Sequence, residues 1–178
     1  TCVHQRNLSE LPQLKNLLIA NGIRHWRLFT IAPIGRATKN AELQLNHLQV
    51  QEMLQFIADT RREGSIDLKF SCEAYTGKYE ESVRDSYFFC RAGINIGSVL
   101  VNGDISACPN INRSFVQGNI YNNNLMDVWD NRFDIMRNRD WMRCGSCEKC
   151  TDYKQCLGGA MHLRPNYRQP ILRCYKYV

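Results

Sequence analysis

The chain has 178 residues, 44% of them hydrophobic and 22% charged, which is the composition of a globular protein of one domain, or one domain and part of another. No run approaches the roughly 18 apolar residues of a membrane span, and TCVHQRNLSE at the start lacks the features of a signal peptide. The formal charge of +6 is scattered except for RFDIMRNRDWMR (132–143), which reads as a solvated helix face, so neither nucleic acid nor a membrane is an expected partner.

Strand and helix signals alternate through the first part. TCVHQ is a short strand. Ser9 is placed to cap a helix whose Leu11, Leu14, Leu17 and Leu18 share a face, and Asn21-Gly22 ends it. The apolar strand RHWRLFTIA follows, broken by Pro33 and Gly35 in APIGRA. A second helix starts after Asn46, with Gln49 in capping-box spacing, buries Val50, Met53, Leu54 and Ile57, and stops at Gly64. IDLKFSCE then alternates, with Ile66, Leu68, Phe70 and Cys72 on one side. This order predicts a parallel α/β sheet of three strands, too few to close a barrel.

The pattern changes after about residue 80. SVLVNGDISAC predicts a hairpin, with Asn102-Gly103 suited to a type I′ turn. NNNLMDVWDNRF predicts a short helix capped by Asn124, with Leu125, Val128 and Trp129 on its buried face. From Arg143 onward cysteine and glycine dominate, and so little apolar surface needs another source of stability.

Nine cysteines punctuate the chain. Cys2 and Cys72 fall in strands and read as small core residues. Cys90 precedes the hairpin and Cys108 ends it; Cys144, Cys147, Cys150 and Cys156 crowd into RCGSCEKCTDYKQCLGG, and Cys174 lies near the end. Pairs separated by two residues fit metal ligation better than a secreted disulfide framework, which implies a reducing compartment, the cytoplasm. Thiolate ligands would also lower the net positive charge. Four thiolates suit either tetrahedral zinc or an iron-sulfur cluster. Zinc modules favour two C-x2-C knuckles across a longer loop, whereas Cys147-x2-Cys150-x5-Cys156 with a distant Cys174 departs from that spacing. Iron-sulfur is the expectation, and a zinc-stapled structural or interaction module is the alternative.

The series Cys90, Gly103, Cys108, Cys147-x2-Cys150-x5-Cys156 and Cys174, with QGNIYNNNLMDVW between, resembles the SPASM domain of radical S-adenosylmethionine enzymes, which carries auxiliary [4Fe-4S] clusters. Residues 1–80 resemble the last strands of that family's partial TIM-like barrel, and 81–178 its small α+β cysteine-rich domain. The resemblance implies that Cys147, Cys150, Cys156 and Cys174 ligate an outer cluster. An inner cluster would use Cys90, Cys108 and a cysteine where Ala160 stands here, so one or two clusters are expected. Cys144 is either a substitute third ligand or a bystander. Asn7 and Arg36 match polar positions near the family's S-adenosylmethionine site; each also suits a structural or surface role. His162 reads as a structural histidine, and Tyr75, Tyr79 and Tyr87 as core or surface.

The family's catalytic cluster needs a C-x3-C-x2-C loop, and none occurs in these residues. The resemblance therefore implies the C-terminal portion of a larger enzyme, inactive alone, that modifies a peptide or protein and takes electrons from a reductant protein. Sulfatase-maturating relatives carry an aspartate base after the second hairpin cysteine. Pro109 stands there and can serve no such role.

Overall fold

A computed structural model describes residues 1–71 and 73–176, and the reading of Cys72 lies outside them. The chain divides into two compact units, Thr1–Phe88 with the residues from Cys174 onward, and Phe89–Arg173. Residues 81–88, which the sequence assigns to the second domain, fold with the first. The buried Glu80 carboxylate holds both ends of this segment, accepting hydrogen bonds from the Thr76 N–H and hydroxyl and from the Phe88 N–H.

The first unit contains a parallel sheet of β1 (Cys2–Val3), β2 (His25–Thr30) and β3 (Asp67–Phe70), in that order. Trp26, Leu28 and Thr30 point inward from β2 and alternate with exposed residues, as a period of two requires. α1 (Leu11–Ala20) joins β1 to β2, and α2 (His47–Glu63) lies between β2 and β3. Val50, Met53, Leu54 and Ile57 of α2 are all buried, each gaining about 1.5–3 kcal/mol over exposure. The Asn46–Gln49 capping box is formed, and Gly64 ends the helix in the left-handed conformation.

Three expectations for this unit fail locally. Ser9 does not cap α1, because Leu8–Glu10 form a 3-10 turn that feeds the helix through Glu10. Leu17 is 59% exposed, so the apolar face of α1 narrows to buried Leu11 and half-buried Leu14 and Leu18. Cys2 is exposed, since Val3 is the inward residue of its two-residue strand. The three strands do not close a barrel.

Tyr175 ties the returning C-terminal residues to this sheet. Its hydroxyl donates to buried Glu73, which also accepts from the Thr30 backbone N–H and hydroxyl. Its ring packs 6.0 Å from that of Phe70. Cys174 is thus placed in the first unit.

The second unit contains an antiparallel sheet of β4 (Ser98–Val99), β5 (Asp104–Ser106) and β6 (Gly118–Asn119). The hairpin is present, but its turn is not type I′. Gly103 has φ +85° while Asn102 does not have a positive φ, so only one left-handed residue is used. Gly103 donates to Leu100 O and Leu100 donates to Asp104 O, which makes a three-residue loop with a left-handed glycine at its end. α4 (Leu125–Arg132) is capped by Asn124, which accepts from the Met126 and Asp127 N–H groups. Val128 is buried and Trp129 partly so, but Leu125 is 43% exposed.

The core of this unit includes Ile105, Ala107, Phe115, Val128, Phe133, Met136, Met142 and Met161, with Cys90 and Cys108 packed against it. The basic stretch 132–143 is not one solvated helix face. It contains α5 (Asp134–Arg137) and a 3-10 turn at Asp140–Met142, and it buries Met136, Arg139 and Met142. No helix among the described residues is long and apolar enough to cross a membrane.

Candidate metal centre

The cysteine-rich stretch is built from short turns in series. Cys147 N–H donates to Cys144 O, Cys150 N–H to Cys147 O, and Tyr153 N–H to Cys150 O, at 3.1 to 3.3 Å. A three-residue step brings side chains back to nearly the same side, which is why thiols three apart can serve one centre. α6 (Tyr153–Cys156) follows and ends at Leu157, whose φ is +48°. Gly158 and Gly159 are also left-handed, and this reversal leads the chain into Ala160, Met161 and Leu163, all buried.

Cys147 is buried, and Cys144, Cys150 and Cys156 are partly so. Cys90, Cys144 and Cys147 are not in disulfides. Among the described residues, no three His, Cys, Asp or Glu side chains are grouped as a single metal ion requires. Cys174 belongs to the first unit and the other six ligand candidates to the second.

Two buried arginines complete the surroundings of these cysteines. Arg164 is wholly inaccessible, and its guanidinium donates to Cys144 Sγ at 3.5 Å and to Cys147 Sγ at 3.3 Å. Its other acceptors are the carbonyls of Gln169 and Gly158, at 3.0 and 2.9 Å. Arg139 is also buried; it donates to the carbonyls of Cys90, Ala92 and Met136 and lies over the Phe89 ring. Tyr153, whose buried hydroxyl is pushed toward a higher pKa by desolvation, donates to Arg139 O.

Neither arginine is paired with a carboxylate among the described residues, and Arg164 Nε and Arg139 Nη1 are buried without an acceptor among them. Buried cations normally have an anionic partner. Arg164 faces the sulfurs of Cys144 and Cys147, and a thiolate-ligated centre, being anionic, would supply the missing partner. The sulfur donors beside Arg164 fit such a centre in their chemistry, while among the described residues they are not gathered around a single point.

The sequence reading singled out neither arginine. Arg139 was hidden in a run of charge that looked solvated, and Arg164 is a lone cation after the apolar AMHL, the one signal that burial was in store. Ala160 is fully buried, so the position of the missing cysteine is part of the core. His162 is half-buried, with its pKa lowered by desolvation, and among the described residues no hydrogen bond to its ring is formed. Pro109 is exposed in the turn after Cys108.

Both S-adenosylmethionine-site candidates follow the C-terminal ends of strands. The Asn7 amide is engaged within its own turn, accepting from the His4 N–H and donating to Cys2 O. Arg36 is exposed on the 3-10 turn Gly35–Lys39. Tyr75 and Tyr87 stack at 6.4 Å in the first unit.

An open cleft of about 690 Å³ lies beside Cys144, lined by Asp134, Asp140, Trp141, Arg143 and Tyr167 among others.

Residues 90–151 match the model of the SPASM family, an iron-sulfur cluster-binding domain. The matched span contains Cys90, Cys108, Cys144, Cys147 and Cys150. Comparison with curated proteins gave no match.

Proposed function

The chain carries a SPASM domain at residues 90–151, and from that premise we propose that it binds auxiliary [4Fe-4S] clusters as part of a radical S-adenosylmethionine enzyme that modifies a peptide or protein. The observation that carries this reading is the pair of buried guanidinium groups, Arg139 and Arg164, set against cysteine-bearing segments with no carboxylate to balance them. Cys147, Cys150, Cys156 and Cys174 would hold the outer cluster. Cys90 and Cys108, with Cys144 as third ligand, would hold the inner one. When bound, such clusters supply one-electron redox chemistry, at potentials set by charge and by hydrogen bonds to sulfur. The protein's own part is to exclude water with the core around Met142 and Met161 and to fix the thiols through the chain of turns.

In this reading the three parallel strands belong to a partial barrel, with Arg36 facing S-adenosylmethionine. Asn7 would act through the conformation of its loop, because its amide is already used there. A peptide or protein substrate and a reductant protein are the partners, and the cytoplasm is the compartment. The loop for the catalytic cluster is missing from these residues, so the chain alone would not cleave S-adenosylmethionine.

Anaerobic reconstitution with iron and sulfide tests the proposal. A brown protein with about four irons per filled site, and about eight when both sites fill, is the expected result. It should release no 5′-deoxyadenosine from S-adenosylmethionine and dithionite. A colourless protein that takes up zinc and assembles no cluster would overturn the proposal.

A further inference from the structure

Arg164 has no access to solvent, and every polar contact it makes is directional. Nη1 donates to Gln169 O at 3.0 Å and to Cys144 Sγ at 3.5 Å; Nη2 donates to Gly158 O at 2.9 Å and to Cys147 Sγ at 3.3 Å. The two carbonyls hold the plane of the guanidinium, and each fork then reaches one sulfur. Lysine could not reproduce this, since it offers a point charge and not a rigid fork. Cys144 Sγ itself donates to Gln169 O at 3.5 Å, so Gln169 serves both partners.

The left-handed Gly158 permits the arrangement. A Cβ at that position would lie 3.2 Å from Nη2 and 2.7 Å from Met142 Cβ. The backbone thus approaches the guanidinium where a side chain would push it away from the sulfurs.

We propose that Arg164 is a positioning residue that sets the reduction potential of the cluster held by Cys147, and that it binds Cys144 to the same charged site. The inference rests on the cluster-binding reading. Reduction adds one electron, supplied by an external one-electron donor, and makes the thiolate-ligated cluster more negative. A fixed cation in a medium of low polarity stabilises that reduced form, so the potential is raised. Cys144, on the other fork and beside the open cleft, shares the same cation instead of standing apart as a bystander.

The test is a redox titration of the reconstituted full chain, followed by electron paramagnetic resonance, for wild type, Arg164→Met and Arg164→Lys. Arg164→Met should keep its iron but lower the potential, shifting the reduced-to-oxidised ratio at fixed potential at least tenfold, about 59 mV for one electron. Arg164→Lys should recover part of the shift, because charge returns without the fork. A second measurement needs no variant: wild type labelled with ¹⁵N-arginine should show a nitrogen hyperfine coupling to the reduced cluster in pulsed spectra. An unchanged potential in Arg164→Met overturns the inference and leaves cluster binding standing. If that variant does not fold, absence of the arginine coupling in wild type overturns it equally. A wild-type chain that assembles no cluster overturns the cluster-binding reading, and this inference with it.

Discussion

Leu157, Gly158 and Gly159 are left-handed in succession, with φ of 48°, 80° and 77°. A side chain tolerates such a conformation at a cost of order 1–3 kcal/mol. Leu157 bears that cost because the turn after Cys156 is needed to bring Arg164 back under the thiols. At Gly158 steric overlap adds to the strain, since the new methyl would meet Met142 Cβ at 2.7 Å. Gly158→Ala is therefore expected to destabilise the reconstituted chain by about 2–4 kcal/mol, combining strain and overpacking. Anaerobic denaturant titration measures this, and a loss below about 0.5 kcal/mol would mean that the turn relaxes freely.

At the scale of elements, local chemistry decides the helix ends. Asn46 accepts from the Gln49 N–H at 2.9 Å while the Gln49 side chain accepts from the Asn46 N–H at 2.9 Å. Asn46→Ala removes one of these acceptors and should cost about 1 kcal/mol, with Asn46→Gly costing only a few tenths. Thermal unfolding of the two variants checks the order; equal losses would show that the side-chain bond is not what stabilises the end. Caps of this kind, at Asn46, Asn124 and Gly64, were legible because donor, acceptor and spacing all lie within four residues. Ser9 misled because a 3-10 turn displaced the helix start, and Asn102-Gly103 misled because two turn types share that dipeptide. The short β6 left no periodicity to read. The SPASM span was legible from the spacing of Cys90, Cys108, Cys147 and Cys150, but the burial of Arg139 and Arg164 was not. The burial of Arg164 depends on chain return through the Gly158 turn, and that of Arg139 on packing against Phe89, neither of which a spacing pattern records.

At the scale of the whole molecule, the two units draw on different sources of stability. The first buries a continuous apolar face of α2 against its parallel sheet, with Met53, Leu54 and Ile57 wholly inaccessible. Residues 144–173 of the second bury few large apolar side chains, chiefly Tyr153, Met161 and Leu163, and they bury a cation as well. Apolar burial of that extent does not balance the backbone entropy of thirty residues. Metal ligation supplies on the order of 10 kcal/mol in structural sites and would make up the difference. In the proposed outer site, Cys156→Ala would remove one ligand from the end of α6 and leave Arg164 beside a depleted set of thiolates. Amide hydrogen exchange in that variant should lose protection by at least 100-fold across residues 144–173, roughly 3 kcal/mol of local stability, while α2 keeps its protection. Chelation of iron from the wild-type chain should produce the same pattern. If both preparations retain full protection in 144–173, the turns and the buried arginine hold that segment unaided, and the centre is not its source of order.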